Sequence, residues 1–328
     1  MILITGGSGF IGTNLSKRFN EAGRRFINYD IRPSPLFSDH HTTLDILDYN
    51  KLRDLKNCDT IVHLAAEHRD DVKPKSKYEQ TNVLGTANVV AAARESGVNR
   101  IIFTSTVAVY GFAKPGTGED GAINPFNEYG RTKYEAEKVL EEWHAEDPDA
   151  RSLTIVRPTV VFGPGNRGNV FNLLNTIHSG RFLMIGDGTN RKSMAYVANV
   201  AAFLDWATQQ PAGFRRYNYV DKPDLNMNDL ASLVRKRLKG KEGAGPRIPL
   251  WLGSTIGVCC DGAAKITGKR FPISKIRVKK FTSTTSFASA VHHLSDFEPV
   301  ASLESGLEET LTHEFVAPDP AAPVFYTE

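Results

Sequence analysis

The chain begins with a short apolar run at 2–5, which leads directly into the glycine-rich turn TGGSGFIG at 5–12 and then into an amphipathic stretch at 14–23. Glycines at positions 6, 9 and 12 allow a tight turn, close approach of the backbone to a ligand, and close packing of a helix on a strand. This order predicts a strand, a tight turn and a helix, which is how a parallel α/β sheet starts.

The alternation of strand-like and helix-like segments continues to about residue 160. Short apolar runs recur at 26–30, 60–66, 100–106 and 152–158, with amphipathic stretches such as 81–97 between them. The runs are mostly apolar throughout, as expected for strands whose two sheet faces are both covered. We predict an α/β fold, a Rossmann-like doubly wound parallel sheet with a smaller C-terminal substrate domain.

The alternation of strand-like and helix-like segments becomes less regular after residue 160. Turn-rich stretches at 163–169 and 186–192 precede helical patterns at 226–240 and 302–315. Asn226 or Asn228 is the predicted cap of the first of these helices, and Ser302 the predicted cap of the second. We predict a Rossmann domain at 1–165 with returning segments near 186–222, and a substrate domain formed by 166–185 and 223–328. The Pro-rich end, 317–328, is predicted to be a surface tail.

The glycine turn indicates a dinucleotide site, because a helix N-terminus directly after it offers free N–H groups to a pyrophosphate. Asp30 ends the second apolar run, 18 residues after Gly12. An acid there accepts from both ribose hydroxyls of NAD and repels the extra phosphate of NADP. Arg32 lies close by and weakens this preference, and a plain strand-end turn is the alternative role of Asp30. The sequence predicts NAD as the cofactor.

A Tyr-x-x-x-Lys pair indicates hydride-transfer chemistry. Tyr129 and Lys133 stand four residues apart on a predicted helix and therefore share one face. The lysine ammonium favours the phenolate, so the pair can supply a base at neutral pH. Thr106, at the end of the preceding strand, can hydrogen-bond the reacting oxygen. Such a pair alone is usually chance, but together with a nucleotide site it makes Thr106, Tyr129 and Lys133 the candidate catalytic residues.

These motifs, in this order, resemble the extended short-chain dehydrogenase/reductase family, also called the NAD-dependent epimerase/dehydratase family. The resemblance spans the chain and rests on TGGSGFIG, HLAA at 63–66, TSTVAVYG at 104–111, YGRTK at 129–133 and RPTVVFGPG at 157–165. It implies tightly bound NAD, a nucleotide-sugar or related substrate, and a homodimer packed through the tyrosine-bearing helix. Motifs and resemblance together predict these cofactor contacts: Gly6, Gly9, Phe10, Ile11, Gly12, Asp30, Asp45, Ile46, Leu64, Ala65, Ala66, Asn82, Tyr129, Lys133 and Pro158. A turn acid is the alternative for Asp45 and a helix cap the alternative for Asn82.

The resemblance also bears on the reaction. Sugar dehydratases of the family carry Asp-Glu, and the decarboxylases a Glu, where this chain has Val107 and Ala108. Neither side chain can transfer a proton. Dehydration therefore lacks its acid and base, whereas 4-epimerisation and simple reduction need neither. The stretch is similar to the 4-epimerase version, in which the 4-hydroxyl is oxidised, the keto-sugar rotates and hydride returns to the other face.

The expected substrate is a sugar diphosphate. Many nucleotide-sugar members of the family have an Asn that contacts the sugar diphosphate where this chain has Val160. This difference argues against the usual mode of binding a UDP-sugar. The candidate substrate-binding residues are His68, Thr106, Asn166, Arg167, Asn169 and Lys192, and Arg69 and Asp70 after the third strand are further pocket candidates or a structural ion pair. We expect no metal site.

A narrower resemblance is to the bacterial 4-epimerases of GlcNAc-diphospho-undecaprenol, which make lipid-linked GalNAc for surface polysaccharide such as O-antigen. Six long segments carry it: 65–72, 125–133, 152–174, 192–200, 217–228 and 265–281. The alternatives are a soluble UDP-sugar 4-epimerase and an NAD(P)-dependent reductase of a 4-keto-sugar or 3β-hydroxysteroid, since 196–203 and 265–272 are also similar to the hydroxysteroid branch. A non-catalytic NAD sensor is a remote fourth.

The segment 231–280 is strongly basic, with 13 Lys or Arg against the acids Glu242 and Asp261, although the whole chain carries only +3. Such a face indicates an anionic partner such as a membrane surface, a diphosphate or nucleic acid, or else a solvated face balanced elsewhere. We expect contact with an anionic membrane and none with nucleic acid. The apolar stretch 248–260 is too short for a bilayer span, which needs about 20 residues, and no signal peptide is evident. The three cysteines predict no disulfide framework. We therefore expect a cytoplasmic protein in peripheral contact with the inner membrane, whereas IPLWLG at 248–253 as ordinary core is the alternative.

Overall fold

The computed structural model describes residues 1–53, 55, 57–69, 72–267 and 274–327, with 263–267 described by backbone alone. Asp70, a pocket candidate, lies outside these residues. So does 268–273, which belongs to a segment that carries the narrower resemblance.

A seven-stranded parallel sheet forms the centre of the molecule. Its strands, in chain order, are β1 (Ile2–Thr5), β2 (Phe26–Asp30), β3 (His41–Thr43), β4 (Thr60–His63), β5 (Arg100–Thr104), β6 (Ser152–Pro158) and β10 (Gly213–Tyr219). The spatial order is β10-β6-β5-β4-β1-β2-β3, and every pairing is parallel. The order reverses between β1 and β4, and ligands of such sheets bind at this switch point, beyond the carboxyl ends of the strands. The predicted fold class is confirmed.

Helices cover both faces of this sheet: α1 (Phe10–Glu21) and α7 (Val197–Ala207) on one face, and α2 (Tyr49–Leu52), α4 (Gly85–Ser96) and α5 (Glu128–Ala145) on the other. The short α3 (Ser76–Tyr78) lies before α4, and α6 (Asn169–His178) lies away from this sheet. On β1, Ile4 packs into a core with α1 and α7, whereas Leu3 packs into a core with α4 and α5. Successive strand residues point to opposite faces, so a strand buried on both sides must be apolar at every position.

The later part of the chain builds two smaller sheets from β7 (Val160–Phe162), β8 (Met184–Ile185), β9 (Arg191–Tyr196), β11 (Asp221–Asn226) and β12 (Arg247–Ile248). One has the order β11-β9-β7 and the other pairs β12 with β8. The remaining helices are α8 (Met227–Lys239), α9 (Leu250–Thr267), α10 (Lys275–Thr282) and α11 (Leu303–Leu311). A third apolar core joins α6, α8 and α11. The exact division into domains stays a prediction.

Side-chain caps fix where several helices begin. The Asn226 amide oxygen accepts from the Asp229 N–H at 2.9 Å at the start of α8, and the Ser302 hydroxyl accepts from the Ser305 N–H at 3.1 Å at the start of α11. Both predicted caps are confirmed, with Asn226 rather than Asn228 in that role. The Asn127 amide oxygen likewise accepts from the Gly130 N–H at 2.9 Å, which fixes the first turn of α5.

The prediction of a surface tail at 317–328 was wrong for its last residues. The Phe325 N–H donates to the Gly165 carbonyl at 2.9 Å, and the Phe325 carbonyl accepts from the Arg167 N–H at 2.8 Å. The Phe325 ring also packs against Phe10, with ring centroids 5.6 Å apart. Short β-type pairing and this aromatic contact hold the end of the chain against the loop that follows β7.

Candidate active site

A cavity of about 630 Å³ lies at the carboxyl ends of the central strands, where the sheet order reverses. Most of the predicted site residues line it: Gly6, Gly9, Phe10, Ile11, Gly12, Asp30, Asp45, Ile46, Leu64, Ala65, Ala66, His68, Thr106, Tyr129, Lys133, Pro158, Asn166 and Asn169. The structure thus brings together segments that are more than 150 residues apart in the chain.

The glycine turn is closed on two sides and open on the third. A Cβ on Gly6, whose φ is +71°, would lie 2.6 Å from the Ala65 nitrogen, and one on Gly12 would lie 2.6 Å from the Gly6 oxygen. A Cβ on Gly9 would meet only the Gly6 oxygen, at 3.3 Å. No side chain caps α1, which begins directly after Gly9. An uncapped helix N-terminus beside an open glycine fits the pyrophosphate of a dinucleotide.

Asp30 lines the end of the cavity where the adenosine of NAD is predicted to bind, which we call the adenosine end, and main-chain groups hold its carboxylate. It accepts from the Ser8 N–H at 3.1 Å and from the Arg32 N–H at 3.0 Å. The carboxylate therefore has a fixed orientation at the end of β2, as a ribose acceptor requires. Asp45 and Ile46 line the same end, and the Asp45 carboxylate also accepts from the Leu47 N–H at 2.9 Å.

Asn82 lies outside the cavity lining. Its buried amide binds the backbone of Glu67 on both sides, with the oxygen accepting at 2.8 Å and the nitrogen donating at 3.0 Å, and it donates to the Thr132 hydroxyl at 2.9 Å. Asn82 therefore connects the loop after β4 to α5. It positions cavity walls through these bonds, and its role as a cofactor contact stays a prediction.

The three candidate catalytic residues face the same cavity. Thr106 ends the β5 segment, and its hydroxyl oxygen accepts from the Ala108 N–H at 3.1 Å. Tyr129 and Lys133 lie on successive turns at the start of α5. The hydroxyl of Thr106 can still donate its hydrogen to a bound oxygen, because its contact with Ala108 uses only a lone pair.

Burial decides the charge of Lys133, which is 1% exposed. Loss of hydration lowers the pKa of its ammonium to about 7, although the Glu137 carboxylate acts in the opposite direction. The ammonium also lies 4.0 Å above the ring of Phe103. A lysine that titrates near neutral pH beside a tyrosine is suited to tuning a proton transfer at that pH.

The cavity wall near Thr106 contains no carboxylate among the described residues. Val107 and Ala108 line the wall there, and the only acids of the described lining are Asp30 and Asp45, at the adenosine end. The site can therefore move a proton through Tyr129, but it has no acid and base pair to expel water.

Two predicted substrate residues, Arg167 and Lys192, do not line the cavity. The Arg167 guanidinium donates to the Glu314 carboxylate and lies 4.1 Å over the Phe171 ring. The Lys192 ammonium donates to the carbonyls of Lys280 and Ser283, at 2.8 and 2.6 Å. Each has hydrogen-bond partners about 90 to 150 residues away in sequence, which no local pattern reveals. Their substrate roles stay predictions.

The sequence analysis missed several lining residues at the substrate end: Asn127, Val161, Ser193, Thr285, Phe287 and Thr327. Thr327 belongs to the docked C-terminal segment, where its hydroxyl donates to the Asn166 amide oxygen at 2.9 Å. Only Asn127 had a local signal, since it precedes the helix that carries Tyr129.

No helix in the described part of the chain is long and apolar enough to cross a membrane.

Replacing Gly9→Ala tests the open position of the glycine turn. We expect a stability change below about 1 kcal/mol, because the new methyl meets only one atom, but an NAD affinity lower by about tenfold or more, because it fills space next to the pyrophosphate. Calorimetric titration with NAD and thermal unfolding measure the two effects. Gly118→Ala, where a Cβ would meet only Ala288 at 3.9 Å, is the control. Unchanged NAD affinity in a folded Gly9→Ala protein would contradict the assignment.

Replacing Lys133→Met tests the buried ammonium in the cofactor-free protein. Between about pH 7 and its ordinary pKa of 10.5, the unfolded chain binds a proton that the folded chain has lost, so wild-type stability rises with pH. We expect the variant to melt at a higher temperature than wild type at pH 7, with the gap narrowing by about pH 9. Lys138→Met, on the exposed side of α5 and paired with Glu135, is the control. A difference in melting temperature between variant and wild type that does not change with pH would contradict the lowered pKa of Lys133.

Comparison with known proteins places this site in a family. Residues 2–219 match the model of the NAD dependent epimerase/dehydratase family. The chain is 47% identical, over 96% of its own length and 95% of the relative, to the N-acetyl-alpha-D-glucosaminyl-diphospho-ditrans,octacis-undecaprenol 4-epimerase of Escherichia coli O157:H7. It is 29% identical to the UDP-glucose 4-epimerase of Vibrio cholerae, over 94% of each.

A solved structure agrees with these relatives. MoeE5, in complex with UDP-glucuronic acid and NAD, superposes with a TM-score of 0.73 at 25% identity, covering 94% of this chain and 97% of that one. The expectation of NAD as the cofactor is confirmed. The chain belongs to the NAD dependent epimerase/dehydratase family.

Proposed function

We propose that the chain is an isomerase, an NAD-dependent 4-epimerase that interconverts GlcNAc- and GalNAc-diphospho-undecaprenol for the synthesis of surface polysaccharide such as O-antigen. The observation that carries the substrate is the 47% identity, over nearly the whole chain, to a relative named for that reaction. The carboxylate-free wall beside Thr106 and Tyr129 supports epimerisation over dehydration among the described lining residues.

The chain's own residues supply binding and proton transfer. Bound NAD would supply the hydride acceptor and donor for carbon 4 of the sugar. The glycine turn and the N-terminus of α1 would hold its pyrophosphate, and Asp30 would hold its ribose. Tyr129 removes the proton of the 4-hydroxyl and later returns it, and Thr106 donates a hydrogen bond to the same oxygen. The Lys133 ammonium stabilises the phenolate form of Tyr129.

The lining at the substrate end is compatible with this proposal. Val160 is 37% exposed and faces the cavity, so its apolar side chain offers no hydrogen bond to a sugar diphosphate. The lining amides there are Asn127, Asn166 and Asn169. The Asn166 oxygen already accepts from the Gly168 N–H and the Thr327 hydroxyl. We also propose the division into two domains and a homodimer packed through α5. Light scattering on the purified protein tests the dimer.

We also propose a peripheral contact with an anionic membrane through α9 and α10. The solvent-facing side of α9 presents Trp251 and Val258, which are 69% and 52% exposed, and no charged residue occurs from Leu250 to Cys260. The inner side packs through glycine, since a Cβ on Gly257 would lie 3.0 Å from the Lys275 nitrogen at the start of α10. An uncharged outer face beside a basic helix is suited to the interface of an anionic bilayer.

A parallel assay tests the substrate. Purified protein without added reductant receives GlcNAc-diphospho-undecaprenol or UDP-GlcNAc, and the sugars are resolved after mild acid release. We expect conversion of the lipid-linked substrate alone and a loss of about 100-fold or more in Tyr129→Phe, which lacks the proton-transfer group. Conversion of UDP-GlcNAc would make the enzyme a soluble nucleotide-sugar epimerase. Turnover of a keto-sugar only with NADH would make it a reductase.

Flotation with phosphatidylglycerol vesicles tests the membrane contact. We expect wild type to float at low salt and less so at high salt. For the double variant Trp251→Ser with Val258→Ser we expect the fraction bound to vesicles to fall at least about fivefold, because it loses buried apolar area. Val300→Ser is the control, since Val300 is 55% exposed and lies next to Ala301, which is bonded to Asn199 of α7. Wild type that fails to float at low salt would refute the contact.

A further inference from the structure

Two exposed aromatic rings lie next in the chain to residues that line the cavity. Phe112 and Phe126 are 51% and 46% exposed, and their rings stack with centroids 4.8 Å apart. Their chain neighbours Gly111 and Asn127 line the cavity itself. Single exposed apolar residues need no explanation, but a stacked pair beside an active site offers an apolar surface for a ligand bound there.

Two lysines of α10 lie over these rings. The Lys279 ammonium is 4.9 Å from the centre of the Phe112 ring, and the Lys280 ammonium is 4.9 Å from that of Phe126. In the described part of the chain neither ammonium forms an ion pair with a carboxylate. Two positive charges and two aromatic faces therefore lie together in one small area. We call Phe112, Phe126, Lys279 and Lys280 the rim cluster.

The main chain on both sides of the rim cluster is held in place. Lys192 donates to the carbonyls of Lys280 and Ser283, and burial lowers the pKa of its ammonium to about 8. On the other side, Gly111 has a φ of +65°, and a Cβ there would lie 1.9 Å from the Asn124 oxygen, so the turn before Phe112 admits only glycine. A fixed rim loses little entropy when a ligand binds.

The chain after α10 returns directly into the cavity, where Thr285 and Phe287 form part of the wall. The Thr285 N–H donates to the Arg191 carbonyl, and its own carbonyl accepts from the Ser193 N–H, each at 2.9 Å. The rim cluster therefore adjoins the cavity wall along the chain in two places, through Gly111 and Asn127 beside the rings and through Thr285 and Phe287 after the lysines.

We propose that the rim cluster is the subsite for the diphosphate and the first isoprene units of the lipid-linked substrate. The proposal rests on the proposed function and specifies which residues recognise the lipid half. A polyprenyl diphosphate places an apolar chain immediately after two phosphates, and the rim cluster places aromatic faces immediately beside two ammonium groups. A nucleoside diphosphate would instead place a polar ribose on those rings.

Bilayer-free kinetics separate this subsite from membrane attachment. The substrates are GlcNAc diphosphate esterified with a short water-soluble isoprenoid alcohol, and its methyl ester. For Phe112→Ala with Phe126→Ala we expect a KM about tenfold higher for the isoprenoid ester, a kcat within about twofold of wild type, and no change for the methyl ester. Phe214→Ala is the control. Phe214 lies on β10, has a similar exposure, and packs against His144 of α5.

The lysines are tested in the same way. Lys279→Gln with Lys280→Gln should raise KM by about tenfold for both esters, because both carry the diphosphate. Lys236→Gln with Lys239→Gln, on α8, is the control, and thermal unfolding checks that each variant is folded.

The outcomes also separate the two proposals. A wild-type enzyme that turns over UDP-GlcNAc but neither ester overturns the proposed function, and this subsite with it. A wild-type enzyme that turns over the isoprenoid ester, with aromatic variants that affect both esters equally or neither, leaves the function standing and overturns the subsite. An isoprenoid-selective rise in KM supports both.

Discussion

The geometry of the site depends on one buried ion pair. Glu137, on the buried side of α5, accepts from the Arg157 guanidinium of β6 at 2.9 and 2.5 Å, and neither residue is more than 1% exposed. The same carboxylate accepts from the Ser105 hydroxyl, beside Thr106. Removing one partner of such a pair costs about 3–5 kcal/mol, because the other charge remains buried. The pair therefore fixes the helix that carries Tyr129 relative to the strand end that carries Thr106.

The same carboxylate opposes, but does not overcome, the effect of burial on the pKa of Lys133. Lys133 lies one turn before Glu137 on α5 and is buried, and the loss of hydration outweighs the attraction of Glu137, so its pKa falls to about 7. Arg157 already satisfies most of the charge of Glu137, and its own pKa is raised by that pairing despite burial. Glu137 thus faces Arg157, the Arg216 guanidinium at 4.0 Å and Lys133. Arg157 receives the short contacts, and Lys133, the candidate catalytic cation, remains able to titrate.

Local patterns predicted the parts of the site that lie within one element or one turn. The glycine turn, Asp30 at a strand end and the Tyr129–Lys133 pair each depend on residues no more than about 20 positions apart, where strand and helix periods determine geometry. Arg167 and Lys192 could not be judged this way, because their partners Glu314 and Ser283 are distant in sequence. The docked C-terminal segment escaped prediction for the same reason, since its pairing partner is a loop rather than a periodic strand.

The two ends of the cavity differ in a way that follows from how they are built. The adenosine end is formed by turns after β1, β2 and β4, and its carboxylate of Asp30 is held by main-chain N–H groups. The substrate end takes residues from β9, the segment after α10 and the chain end, and its described lining is uncharged. A sugar must rotate at that end between the two hydride transfers, and strong ionic contacts to the ring would resist this rotation. We therefore expect the charge of the diphosphate to be recognised outside the reaction chamber, by Lys279 and Lys280 of the proposed rim cluster.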